Sequence, residues 1–188
     1  MTTWIVLRAA GIGAYVALFL AVAWGLIGTT SLVSKRVSKP SANTFHGVVA
    51  AAGFVLLLVH LGGLLVDRFV PFGIADVLIP MRSSFRPVAI AAGIAAMYGM
   101  AIVLASSWAR KRVGTTWWRR LHQLSVPIFT LALLHGVFAG TDTERPWMFW
   151  LYAATGLITL FLVIVRGLTA GYRPARPARP APVTPEAG

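Results

Sequence analysis

The four histidines of this 188-residue chain, His46, His60, His122 and His135, fall as two pairs inside two strongly apolar stretches. The first pair is fourteen residues apart and the second thirteen. At ~1.5 Å rise per residue these steps span about 21 Å and about 19.5 Å of helix. Each helix can therefore offer one imidazole toward each face of a hydrocarbon layer ~30 Å thick. Two such helices side by side supply one ligand apiece at two depths, the arrangement that holds two bis-histidine haems stacked across a bilayer. A single zinc site is excluded, because rings ~20 Å apart on one helix cannot bring their nitrogens to ~2.0–2.1 Å from one ion. A proton-relay chain is disfavoured, since the apolar stretches hold no Asp or Glu to pair with these rings.

The elements that must position the histidines are membrane helices. With 57% hydrophobic residues, 12% charged residues and a mean hydropathy of +0.76, the composition is not that of a soluble domain. Five runs have spanning length, at roughly 9–33, 44–66, 86–107, 121–140 and 147–165. Continuous apolar runs exclude the alternating pattern of a membrane barrel, so the expected fold is an all-α polytopic bundle. The second and fourth spans carry the histidines. Cysteine is absent, which removes disulfides and thiolate-bound metal. The first run exceeds a typical signal-peptide core and lacks a small-residue cleavage pattern, so it is read as a retained helix.

Basic residues set the expected orientation. Lys35, Arg36, Lys39, Arg110, Lys111, Arg112, Arg119, Arg120, Arg166, Arg173, Arg176 and Arg179 follow spans one, three and five. Only Arg8, Arg68, Arg82, Arg86 and Arg145 fall on the other side, with Asp67, Asp76, Asp142 and Glu144. By the positive-inside rule the amino terminus is outside and the carboxyl terminus cytoplasmic in a cell membrane, expected to be bacterial. The net charge of +12 is thus chiefly a topology signal, and nucleic acid is not an expected partner. Residues 1–168 form the expected haem-binding domain. Residues 169–188, with their repeated Arg-Pro-Ala, form an expected extended tail with weak attraction to anionic headgroups.

Smaller features complete the reading. Ser41, Asn43 or Thr44 could cap span two. In span two the fourteen-residue step brings His46 and His60 within ~40° of one face, along which lie Ala50, Gly53 and Leu57. In span four the thirteen-residue step leaves a ~140° mismatch, and a kink at Pro127 is the expected remedy. Phe129 lies between the two histidines of that span, as a packing aromatic or between haems. The segment from Phe69 to Ser84 is expected at the outer interface; Arg82 and Arg86 are flanking anchors or partners for haem propionates. The run from Arg110 to Arg120 combines cations with Trp117 and Trp118, as membrane interfaces do, and suits lipid, propionate or a soluble donor. Depth and topology pair His46 with His122 at the cytoplasmic haem and His60 with His135 at the outer one.

Thr44-Phe45-His46 followed by His60, and Gly114-Thr115-Thr116-Trp117-Trp118-Arg119-Arg120-Leu121-His122 followed by His135, resemble the ferric reductase-like transmembrane family. That family includes ferric reductases, NADPH oxidases and the haem subunit of the bacterial methionine sulfoxide reductase system. The resemblance covers about residues 9–166. It implies two b-type haems at the four histidines and electrons entering from the cytoplasm. Larger members continue into flavin and nicotinamide domains, whereas no Gly-x-Gly-x-x-Gly unit for a dinucleotide is found here. A separate flavoprotein reductase or a quinol is then the expected donor, with an acceptor on the outer side. Two other classes stay open on sequence: a quinol-oxidising dihaem cytochrome b, although its Pro-Glu-Trp-Tyr signature is absent, and a membrane subunit whose histidines only hydrogen-bond.

Overall fold

The computed structural model describes residues 2–28, 39–67 and 71–170, and these are helical apart from short connections. In chain order the helices are α1 (Thr2–Gly28), α2 (Lys39–Val66), α3 (Ile74–Leu78), α4 (Pro87–Trp108), α5 (Arg110–Val113), α6 (Thr115–Gln123), α7 (Ser125–Ala139) and α8 (Pro146–Ala170). Five segments are long and apolar enough to cross a membrane, the fourth being α6 and α7 together. The expected spans are all present; residues 29–33 of the first lie outside the described residues. So do Lys35 and Arg36, Arg68 and Phe69, and residues 171–188 of the tail.

Two antiparallel helix pairs make the frame. α1 lies along α2, α4 lies along α7, and α8 packs against α1 and α7. Small residues allow the close approach that drives helix association where lipid is as apolar as leucine. A Cβ at Gly63 of α2 would come 2.5 Å from that of Leu7 on α1, and one at Gly99 of α4 would come 2.6 Å from Ile128 on α7. Of the helices that carry the histidines, α2 forms no extensive packing interface with α6 or α7. The two pairs touch through α1 with α7 and α2 with α4, and a slot lined by residues of both opens between them.

Span two begins earlier than its cap residues implied. α2 starts at Lys39, so Ser41, Asn43 and Thr44 stand inside its first turns rather than before them. The Thr44 hydroxyl donates to the Pro40 carbonyl at 3.1 Å, one turn back, a bond a threonine makes within a helix. Proline near the start supplies the local signal instead, because it lacks an amide that would go unpaired there.

Span four breaks as proline demands, but one turn ahead of it. Pro127 cannot donate an amide hydrogen, and its ring clashes with the carbonyl four residues back, at Gln123. The helix divides there. Leu124 separates α6 from α7, its amide donating to the Leu121 carbonyl at 3.0 Å. Pro127 then sits in the first turn of α7, where a missing N–H costs nothing.

The end remote from the basic α5–α6 turn is closed by polar ties. Asp76 accepts from the Gly73 amide at 2.9 Å at the start of α3, and Tyr98 donates to the Leu78 carbonyl at 2.9 Å. Arg86, left-handed at φ 42° just before Pro87, donates to the Phe138 carbonyl at 2.5 Å in the last turn of α7. It therefore acts here as a helix-end anchor. Arg8 binds Asp142 through two guanidinium nitrogens, joining α1 to the α7–α8 turn. The Asp142 side chain is 11% exposed and that of Arg8 34%. Replacing Arg8 with Met strands a nearly buried carboxylate, and a loss of about 1–3 kcal/mol is expected, below the cost of breaking a fully buried pair. The thermal midpoint of detergent-solubilised protein reads it; no shift would mean that water or another donor takes over.

Candidate haem-ligand histidines

The slot brings the histidines together in two sets. At the basic end the rings of His46 on α2 and His122 on α6 have centroids 5.8 Å apart with planes at 63°. Nearer the other end, His60 on α2 and His135 on α7 line one cavity, together with Leu57, Met97 and Met100. The two-depth pairing drawn from spacing is thus the pairing of proximity. His122 and His135 stand on either side of the break at Leu124, so the two rings do not project from one unbroken helix. Gly53 faces Ala17 of α1 and the Met100 methyl, so it serves helix approach, whereas Leu57 reaches the cavity.

Each ring is held differently. The His60 Nδ1 pairs with the Leu7 carbonyl of α1 at 2.8 Å, and the His135 Nδ1 pairs with the Ala89 carbonyl of α4 at 2.8 Å. A carbonyl can only accept, so Nδ1 carries the hydrogen and Nε2 keeps its lone pair. At the basic end the Ala21 carbonyl lies beside His46 without reaching hydrogen-bond geometry, and the buried Nδ1 atoms of His46 and His122 have no partner. His122 instead stacks on Trp118, one turn earlier, with centroids 5.1 Å apart and planes at 27°. The indole donates to the Ser107 hydroxyl at 3.2 Å and carries the Arg110 guanidinium over its face at 4.1 Å. The Trp118-x-x-Leu-His motif is thus a bracket for the ring of His122.

Haem fits this donor set. Two imidazoles sharing one metal, each with a nitrogen about 2 Å away, have ring centroids roughly 6 Å apart; His46 and His122 are near that separation. His60 and His135 direct free Nε2 lone pairs from rings whose Nδ1–H is already engaged, the usual support of a metal-bound histidine. Among the described residues no three His, Asp or Glu side chains cluster around a point, which suits pairs of ligands and not a tetrahedral cage. Bis-imidazole iron passes single electrons and leaves no open coordination position.

Three features escaped the sequence reading. Gly11 and Gly25 on α1 and Gly93 on α4 stand directly against the rings of His60, His46 and His135. A signal was present: Gly11 and Gly25 are fourteen residues apart, the same step as His46 and His60. Phe129 is 1% exposed and stacks with Tyr15 at 5.7 Å, in a cluster of α1, α7 and α8. It is a packing aromatic and does not line the His60/His135 cavity.

No curated protein and no solved structure matches the chain. The family model described as ferric reductase like transmembrane component matches residues 10–133, from α1 through most of α7. His46, His60 and His122 fall inside the match, and His135 follows two residues beyond it. With five spanning helices and a match over well over half its length, the chain belongs to the ferric reductase-like transmembrane family of membrane electron-transfer components.

Proposed function

We propose that the protein is a dihaem b-type electron conduit, with His46 and His122 ligating one haem and His60 and His135 the other. The observation that carries this reading is the meeting of the four rings as two pairs, His46 beside His122 at the basic end and His60 with His135 on one cavity toward the other. The haem-binding unit spans residues 1–168. By the distribution of Lys and Arg, the His46/His122 centre is cytoplasmic, the His60/His135 centre outer, the amino terminus outside and the carboxyl terminus inside. Electrons come from a cytoplasmic flavoprotein or a quinol and leave to an outer acceptor. The exposed Trp108 and Trp117, with Arg120 5.0 Å over the Trp117 ring, form an interfacial cationic face suited to lipid and donor alike. The arginine–proline tail, residues 169–188, adds attraction to anionic headgroups.

A pyridine haemochrome assay on detergent-purified, quantified protein, followed by a reduced-minus-oxidised spectrum, tests the reading. About two b-type haems per chain are expected. Folded protein supplied with haem yet carrying none would return the histidines to hydrogen bonding.

A further inference from the structure

The supports behind the two outer rings repeat one local pattern. On α1 the Leu7 carbonyl takes the His60 Nδ1, and four residues on stands Gly11, where a Cβ would be 2.8 Å from that nitrogen. On α4 the Ala89 carbonyl takes the His135 Nδ1, and four residues on stands Gly93, where a Cβ would be 2.5 Å from it. A carbonyl and the residue four positions on belong to the same helical turn. The glycine therefore opens the space through which the ring reaches that turn. Any larger residue pushes the imidazole off the carbonyl. At the basic end the pattern is incomplete. Ala21 and Gly25 stand against His46 in the same register, but a Cβ at Gly25 would meet the ring at an ordinary 3.6 Å. No hydrogen bond forms at Nδ1 of either His46 or His122.

Resting on the dihaem reading, we infer that Gly11 and Gly93 are positioning residues. They hold His60 and His135 against the Leu7 and Ala89 carbonyls, and thereby give the outer centre a lower reduction potential than the inner one. Donation from Nδ1–H to a carbonyl makes the opposite nitrogen a stronger donor to metal. A stronger donor favours the ferric over the ferrous state, and hydrogen bonding around the ligands is one of the levers that set haem potentials. Both histidines that would hold the outer haem have this support, and neither of those that would hold the inner one has a hydrogen bond at Nδ1. The basic residues of the α5–α6 turn act in the same direction, since nearby positive charge favours the less positive ferrous state at the inner centre.

Redox titration with low-spin EPR on the whole protein in detergent provides the test, using Gly11→Ala, Gly93→Ala and the control Gly62→Ala, whose added Cβ would meet nothing within 4 Å. The outer signal is identified as the one absent from His60→Ala. In the two positioning variants the outer potential is expected to rise and its largest g value to move, with the inner signal unchanged; Gly62→Ala should alter neither. Unmoved outer signals in both variants overturn the inference. Should those variants fail to hold the outer haem, the unsubstituted protein decides: an outer potential below the inner supports the inference, and one equal or above overturns it. Unsubstituted, folded protein without b haem overturns the dihaem reading itself and is seen before any variant is made.

Discussion

Alanine at His60 or His135 is expected to remove one haem and spare the other, so that haem per chain falls from about two to about one. Alanine at His46 or His122 should remove the second haem instead, leaving the same total but a different residual spectrum and potential. Either loss stops passage across the bilayer, because one remaining centre serves only half its thickness. The double variants carry the sharper test. His60→Ala with His135→Ala removes two ligands of one iron and should cost no more haem than either alone, whereas His46→Ala with His60→Ala strikes both irons and should leave none. Non-additivity within a pair and additivity between pairs is the signature of shared partners. Loss of both haems from a single variant with intact helix content would overturn the pairing.

The largest stability loss away from the ligands is expected at Phe129. In a water-soluble core, Phe→Ala costs about 3–5 kcal/mol, part of it from returning apolar surface to water. Inside a bilayer that part largely disappears, since separated helices are still bathed in hydrocarbon. The void remains. A cavity on the order of 100 Å³ at ~24 cal/mol per Å³ gives about 2 kcal/mol, and the lost contacts to Tyr15 and Phe19, with ring centroids at 5.7 and 5.9 Å, add to it. Phe129→Ala should therefore lower the denaturation midpoint clearly, while Phe149→Ala, at a residue 57% exposed, should leave it nearly unchanged. Equal shifts for the two would mean that Phe129 is not a keystone of the α1–α7–α8 contact.

Much of this architecture is legible in the sequence because bilayer thickness converts directly into run length. Apolar length alone gives span three within one residue at each end and the start of span five, whose helix runs on to Ala170, five residues past the expected 165. The fourteen- and thirteen-residue steps placed the rings at two depths, and Pro127 announced a disturbance in span four. Its location one turn earlier follows from whose carbonyl the proline ring strikes, Gln123, not from the proline itself. What stayed hidden was lateral: which helix lies behind which ring. The carbonyls of Leu7 and Ala89 leave no trace in residue type, since every residue carries one. Nor does residue type tell Gly11 and Gly93, which stand against the rings, from the glycines that serve helix packing. Likewise Thr44 has the chemistry of a cap, and only the start of α2 at Lys39 turns its hydroxyl into a bond within the helix.

The slot between the helix pairs has a consequence for biogenesis. α1 with α2, and α4 with α7, are closed by their own small-residue contacts, while the Tyr15–Phe129 stack, the Arg8–Asp142 tie and α8 already join the two pairs along one side of the slot. On the proposed reading haem would seat between pairs that already touch, like a pin through two leaves of a hinge. Each iron would then add a crosslink between the pairs, one near each membrane face. A chain synthesised without haem would keep its helices and the α1–α7–α8 contact but lack those two added crosslinks, and limited proteolysis of membranes from haem-starved and haem-fed cells should separate those states.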